Sequence, residues 1–344
     1  MSFPRQSSEH SSDAERCVSV DSPARLHLGF LDPNGSLGRR FASLGLVIDG
    51  FSTRLELRPD VRSRIVVADG AAHDAAARLE RYLATLQRET GLDAPLCVRL
   101  LAAPPAHAGF GSGTQLALAI GRAFSSFHGL EMPTRRLAAI LGRGKRSGVG
   151  IAGSDRGGLL LDGGPGADGS AAPLLSRITF PAEWAVVLVL DERIGGLCGS
   201  AERVAMDALA PFPRALAADV CHQVLMRVLP GAIEQAFEPF AEGVSTIQRL
   251  IGDYFAPAQG GSMYTSAAVG RALEWLGRRE PAGIGQSSWG PTGFALMRSR
   301  AAAEAALAAA RAAGAVDPML RIVITGANNR GAQVGLGAAA LARA

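Results

Sequence analysis

Apolar and polar residues alternate from Thr53 to Arg58 and again from Leu96 to Leu101, the period-two pattern of strands with one buried face. Cys17–Asp21 and Arg25–Phe30 also read as extended, with Ser22-Pro23 separating them, and Arg64–Ala68 is a short β-branched run. The period then changes. Within Ala71–Glu89, Leu79, Leu83 and Leu86 share one helical face, and Gly91 follows as a stop. Gln115–Phe127 predicts a helix closed by His128-Gly129. Pro133–Leu141 predicts another, with Pro133 suited to a first-turn position. Glycines and charges remove any period from Gly142 to Gly158, which predicts a loop, and Leu159–Asp162 returns to a short strand.

The second half starts with Ala185–Leu190, a continuous apolar run expected to be a fully buried strand. Helices are predicted at about Arg214–Leu229, Ala232–Tyr254, Ser266–Arg278 and Ala301–Ala313, with strands at Phe294–Met297 and Arg321–Thr325. A chain of 344 residues exceeds one ordinary core. Gly163–Ala172 carries the weakest structural signal, so the division is expected there. Residues 1–16 read as a disordered leader, 17–172 as a strand-rich N-terminal α+β domain and 173–344 as a helix-richer C-terminal α+β domain.

Composition narrows the function classes. Hydrophobic residues make up 48% and charged residues 19%, a globular balance. The Ala-rich stretch Ala301–Ala315 is broken by Glu304 and Arg311, and Met1–Arg16 has no apolar centre of the signal-peptide kind, so a cytoplasmic protein is expected. Cys17, Cys97, Cys198 and Cys221 lie far apart without metal-ligand spacing, which suits reduced thiols. The net charge of +4 comes almost wholly from scattered arginines, Lys145 being the only lysine. Without a basic run or interleaved aromatics, that bias fits a GC-rich genome better than a nucleic-acid surface.

The chemistry concentrates at Pro104–Ala119, PPAHAGFGSGTQLALA. Gly109, Gly111 and Gly113 permit a tight turn with backbone N–H groups pointing inward, and Ser112 and Thr114 add hydroxyls. The helix that follows offers free N–H groups and a dipole that favour an anion, so a phosphate is the natural occupant. A Walker A loop is excluded because no Gly-Lys-Ser/Thr ends the motif. A Rossmann fingerprint is excluded by the glycine spacing.

Pro-x-x-x-Gly-Phe-Gly-Ser-Gly-Thr-Gln before an Ala/Leu helix resembles the phosphate-binding loop of the GHMP kinase superfamily. That resemblance implies a two-domain α+β fold, with an N-terminal domain like ribosomal protein S5 domain 2 and a ferredoxin-like C-terminal domain. Such kinases commonly place a catalytic Asp in a Ser-Gly-hydrophobic-Asp loop, whereas this chain reads Ser147-Gly148-Val149-Gly150. Glycine cannot accept a proton, and Asp155 stands five residues further on. Gly-Thr-Gln also replaces the small residues that admit a nucleotide triphosphate. Three segments match a non-kinase branch instead: SPARLHLGFLD (Ser22–Asp32), GRGKRSGVGIAGSDRGGLLLDGG (Gly142–Gly164) and GQSSWGPTGFAL (Gly285–Leu296). Together they resemble the β-ribofuranosylaminobenzene 5′-phosphate synthase family over roughly residues 20–330.

The resemblance implies decarboxylating phosphoribosyl transfer from phosphoribosyl pyrophosphate to 4-aminobenzoate or 4-hydroxybenzoate, in tetrahydromethanopterin biosynthesis and one-carbon metabolism. It also implies a homodimer, Mg²⁺ bound with the pyrophosphate, and no organic cofactor. Gly109, Gly111, Ser112, Gly113, Thr114 and Gln115 would cradle phosphate. Arg25 and His27, two apart on one strand face, would grip phosphate and stabilise leaving pyrophosphate, or stand as a surface arginine beside a core histidine. Asp32 is a catalytic candidate, and it or Asp162 would hold the metal, with turn capping as the alternative for each. Lys145, Arg146 and Ser147 would add substrate contacts. Gln286, Ser287, Ser288 and Trp289 would stack on the benzoate ring and bind its carboxylate, unless Trp289 is an interface aromatic. An ATP-dependent GHMP small-molecule kinase and a non-catalytic phosphate-ligand binding protein are the rival readings.

Overall fold

A computed structural model describes residues 16–68, 74–196 and 199–337; the expected leader 1–16 lies outside them but for Arg16, as does Cys198. The first half runs β1 (Val18–Asp32), β2 (Phe41–Pro59), β3 (Arg64–Val67), α1 (Asp74–Thr90), β4 (Leu96–Ala102), α2 (Ser112–Phe127), α3 (Thr134–Ile140), α4 (Val149–Arg156), β5 (Leu159–Asp162) and β6 (Leu174–Ile178). The second runs β7 (Ala185–Leu190), α5 (Gly199–Asp207), α6 (Arg214–Gln223), α7 (Leu229–Glu234), α8 (Phe237–Phe255), α9 (Ala267–Arg279), β8 (Ala282–Gln286), β9 (Gly293–Met297), α10 (Arg300–Ala312), β10 (Arg321–Thr325) and β11 (Gln333–Leu336).

The N-terminal sheet has the order β11-β1-β2-β4-β3, with β5 paired to β2 and β6 to β5. Ser22-Pro23 does not end the first strand. β1 continues to Asp32 by absorbing the proline at a bulge between Pro23 and Arg25, with a second bulge between His27 and Gly29. Those bulges re-aim the Arg25–Gly29 stretch, which turns out to matter for the site. α1 and α2 cover one face, where Leu79, Leu83 and Leu86 are buried with Leu116, Ile120 and Phe124. Val149–Arg156, expected within a loop, is a helix. Its glycines are there because the space is small: a Cβ on Gly153 would stand 2.6 Å from Val47.

The expected division at 172/173 falls inside this sheet. Gly163–Ala172 is the connection of the β5–β6 hairpin, and β11 returns from the far end of the chain to pair with β1. The second sheet has the order β10-β7-β9-β8, all antiparallel. Numbered by position in the βαββαβ sequence, that order is 4-1-3-2, the ferredoxin-like arrangement. α6 passes without a break through a π-helical turn (Val224–Val228) into α7, and the chain turns at Gln235 instead of Pro230. Among the described residues, that Arg214–Glu234 run is the one helix long and apolar enough to cross a membrane, with a mean hydropathy of 1.2. It packs on the core through Ala217, Val220, Val224, Val228 and Ala232. The largest core joins both halves, with Leu26 and Leu28 of β1 buried in the same cluster as Trp184, Phe240 and Phe294.

Candidate active site

The glycine-rich loop enters α2 through Gly111, left-handed at φ 71°. A Cβ there would stand 2.8 Å from Cζ of Arg25, so the absent side chain is what lets the guanidinium lie against the loop. Arg25 is fixed from β1: its Nη1 donates to Gly109 O at 2.7 Å, while its Nε is buried without a partner. Arg143 closes the other side. Its Nη2 donates to Thr114 Oγ1 at 3.0 Å, and its Nε is likewise buried and unpartnered. Arg78 lies beside Gly113 as well. Burial, then the charge of Arg143, pulls the Arg25 guanidinium down to about 10, so it stays cationic at neutral pH. Guanidiniums gathered at a helix N-terminus, with the Nε of Arg25 and Arg143 unpartnered, are an arrangement that can hold an anion.

Two residues along β1, His27 faces different surroundings. It lines a narrow pocket with Phe30, Gln248, Ile251, Phe255, Gln259, Met263, Gln286, Ser288 and Trp289, none of them charged. The His27 Nε2 is buried with no partner. Burial, then the neighbouring Arg25, drives its pKa down to about 3, so the imidazole is neutral, and any help it gives to leaving pyrophosphate is that of a neutral group. Trp289 meets Phe255 edge-on at 4.7 Å and is buried in the wall instead of an outer interface. The free volume, about 40 Å³, is below that of a benzene-sized guest.

Amides give this pocket its order. Gln286 spends its side chain on Thr265 N, Gln259 Oε1 and Ser288 O, so it is a strut. Gln248 holds Gln286 N and Leu28 O, tying α8 to both sheets. Ser287 is fully buried: it accepts from His27 N at 3.0 Å and donates to Gly109 O at 2.8 Å. It therefore fixes the glycine loop against β1 and touches no open space, correcting its assignment as a substrate contact. Ser288 reaches the pocket in a left-handed conformation, φ 56°. Gln115 is likewise reassigned. It accepts from Ser22 Oγ and donates to Gly150 O beneath the loop.

The carboxylates are placed otherwise than expected. Asp162 is fully buried, and its oxygens accept from Gly148 N, Val149 N, Gly164 N and Ser147 Oγ. Burial outweighs those donors and raises its pKa. It caps α4, and Ser147 is spent in the same cap. Asp32 accepts from Asn34 N, Gly35 N, Ser36 Oγ and Leu37 N, which together build the turn after β1. Burial opposes its charge, but those donors prevail and hold its pKa below the ordinary value. Both carboxylates take the capping role that the sequence left open beside metal binding or catalysis, each accepting four hydrogen bonds. Among the described residues no group of three or more His, Cys, Asp or Glu is placed to hold a metal. Asp155 bonds Arg122 and Thr134, away from the loop. Arg146 pairs with Glu202 at 2.7 Å, and Lys145 lines a separate cleft.

Gly150 stands close to the loop: a Cβ there would meet Thr114 Cγ2 at 3.2 Å, a tight contact, and Gln115 Nε2 at 3.7 Å. Sequence reasoning missed Arg143, Arg78, Gln248 and Gln259. One signal was present for Gln248, an amide at helical spacing among Val244, Ile251 and Phe255 on an otherwise apolar face.

Residues 74–158 match the family described as GHMP kinases N terminal domain, and residues 228–316 match GHMP kinases C terminal. The β-ribofuranosylphenol 5′-phosphate synthase of Archaeoglobus fulgidus is 32% identical over 327 residues, covering 91% of this chain and 97% of that protein. The protein of the same name from Methanothermobacter thermautotrophicus is 29% identical over 346 residues, again covering 91% and 97%. Among solved structures, mevalonate diphosphate decarboxylase from Staphylococcus aureus superposes with a TM-score of 0.66 at 10% identity, covering 93% of this chain and 98% of that one. That likeness speaks for the fold alone.

Proposed function

The chain belongs to the β-ribofuranosylphenol 5′-phosphate synthase family on a GHMP kinase fold, and from that premise we propose that it transfers phosphoribosyl from phosphoribosyl pyrophosphate to a para-substituted benzoate with loss of CO₂. The observation that carries this reading is the adjacency on β1. Arg25 belongs to an arginine-ringed phosphate loop and His27 to an uncharged, aromatic-walled pocket, about 7 Å apart by strand geometry. A ribosyl carbon between the two would have its leaving group on one side and an arene on the other.

The bond changes need little from the protein in the way of proton transfer. The ring carbon bearing the carboxylate forms a bond to C1 as the C1–O bond breaks, its electron pair leaving on pyrophosphate. The C–CO₂ bond then breaks and returns its pair to the ring. No ring proton is removed, which suits a site without a carboxylate base. Charge builds on the departing pyrophosphate, where Arg25, Arg143 and the α2 N–H groups act in a partly dehydrated setting. The neutral pocket orients the arene, with His27 Nε2 and the Gln259 amide as its polar contacts. The carboxylates expected to hold Mg²⁺ are each engaged by backbone N–H groups and a serine hydroxyl, so Mg²⁺ would come as the counter-ion of the pyrophosphate substrate.

The reading further takes the protein as a cytoplasmic homodimer in tetrahydromethanopterin biosynthesis. Exposed Leu225 and Ile233, with Leu229 between them at helical spacing, support a self-association surface. Turnover is the direct test. With phosphoribosyl pyrophosphate, Mg²⁺ and carboxyl-labelled 4-aminobenzoate or 4-hydroxybenzoate, labelled CO₂ and pyrophosphate should appear in equal amounts. Release with neither benzoate would sink the proposal.

A further inference from the structure

A second concentration of positive charge lies in an open cleft of about 840 Å³ beside the β1–β2 connection. Arg39, Arg40 and Lys145 line it with Phe41, and no acidic side chain does. The guanidiniums of Arg39 and Arg40 are each anchored through Nε on a carbonyl oxygen, Pro165 O at 3.4 Å and Pro33 O at 3.0 Å. The neighbouring carboxylate, Asp168, accepts from Ser170 N within its own turn.

The backbone here is held in a costly shape. Phe41 (φ 71°) and Ala42 (φ 47°) are consecutive non-glycine residues in the left-handed region. Gly164 packs so closely on Arg40 O that a Cβ would overlap it, which keeps that shape in place. Its consequence is a chain of contacts. Arg40 lies over the Phe41 ring at 5.0 Å, Phe41 meets Phe30 at 5.3 Å, and Phe30 meets His27 at 4.5 Å. The cleft thus abuts the uncharged pocket across an aromatic wall. It is also near the glycine loop: Arg143 reaches Thr114 while Lys145 lines the cleft, and two residues span at most about 7 Å of backbone.

We propose that this cleft binds the 5′-phosphate of the ribosyl substrate and that the glycine loop holds its pyrophosphate. The proposal rests on the phosphoribosyl-transfer reading above. The order of the two ends follows from adjacency. The group on C1 must leave beside the nucleophile, and the loop site shares β1 with the arene pocket through Arg25 and His27. The 5′-phosphate sits on the far side of the ribose, where the cleft lies beyond Phe30 and Phe41. The more highly charged group also meets the denser set of donors, N–H groups and guanidiniums together.

Titration calorimetry with inorganic pyrophosphate and with ribose 5-phosphate separates the two ends. Arg40 and Lys145 are exposed, so the double variant Arg40→Ala, Lys145→Ala keeps the fold. It should bind ribose 5-phosphate at least 10-fold more weakly and pyrophosphate within 2-fold of the unaltered protein. Arg143→Ala should reverse that pattern. An unchanged ribose 5-phosphate affinity in the double variant, or parallel losses for both probes in both variants, overturns the cleft assignment. If that happens while the unaltered protein still releases labelled CO₂, the cleft assignment fails alone. If the unaltered protein neither releases CO₂ nor binds either probe, both readings fail.

Discussion

Arg25 and His27 stand two residues apart on one strand, yet their surroundings are opposites. Around Arg25 the chain gathers guanidiniums and leaves the Nε groups of Arg25 and Arg143 without a partner beside the start of α2. Around His27 it gathers Phe30, Ile251, Phe255 and Trp289, spends its amides on one another, and holds the imidazole neutral. The bulges of β1 at Pro23/Arg25 and His27/Gly29 flank these two positions and set their aim. The contrast teaches that the scaffold has separated two demands that a phosphoryl-transfer site combines. On the proposed reaction, charge is concentrated where the leaving group would depart and excluded where the carbon nucleophile would approach. Gly150 fits the separation, because it brings no proton-accepting carboxylate to its place against Thr114 and Gln115.

The largest effect should come from breaking the charged half. Gly111→Val places a branched side chain on a left-handed residue and drives it into the Arg25 guanidinium, which approaches within 2.8 Å of even a Cβ. Pyrophosphate affinity should fall by at least about 100-fold, in line with losing one preorganised donor, while the circular dichroism of the fold is retained. Titration calorimetry reads it. Pyrophosphate binding that survives this substitution would show that the loop is not the anion site, and the comparison would lose its charged member.

The neutral half is sharpened by pH. An imidazole with an ordinary pKa of 6.5 takes a proton in the unfolded chain as pH falls, but the folded chain, held to about 3, does not. His27 therefore adds stability in full above about pH 7 and loses it as pH falls from 6.5 toward 3. The loss between pH 7.5 and pH 5 comes to about 2 kcal/mol. Urea unfolding of the protein and of His27→Gln at both pH values isolates that part. The unaltered protein should lose about 2 kcal/mol more than the variant over this interval. Equal losses would mean that the imidazole is not buried neutral and that the pocket is not the dry site described.

Much of this contrast could be read from the chain, and what could not has physical causes. Leu79, Leu83 and Leu86 announced α1, the run Ala185–Leu190 announced a buried strand, and the glycines before α2 announced the tight turn into that helix. Glycine misled where it serves packing. Gly150 and Gly153 in α4, and Gly283 and Gly285 in β8, are small because Thr114, Val47, Val244 and Gln248 press on them, and a pattern of side chains shows only a loop there. The phosphate loop is contiguous in sequence and so was legible. The neutral pocket is assembled from β1, α8, Gln259, Met263 and the turn after β8, more than 200 residues apart, and only its Gln286–Trp289 segment was visible in advance. Of that segment Gln286, Ser288 and Trp289 line the pocket, but Gln286 and Ser287 spend their side chains as struts, a distinction set by hydrogen-bond partners that composition cannot reveal.

The smallest catalytic effect is expected at Asp162, where sequence alone left metal binding and capping open. Asp162→Asn keeps one acceptor but turns an amide N–H₂ toward donors it must face, Gly148 N and Val149 N at 2.7 and 3.1 Å or Gly164 N at 2.8 Å. Unmade bonds to buried N–H groups should cost about 2 kcal/mol of stability or more, seen as a lower urea midpoint. Because this buried carboxylate already accepts four hydrogen bonds as a cap, the Mg²⁺ concentration giving half-maximal CO₂ release should stay within 2-fold. A rise of 10-fold or more with an unchanged urea midpoint would return Asp162 to the metal. The charge in this site would then not be supplied by arginine and N–H groups alone, and the division between its charged and neutral halves would have to include a bound cation.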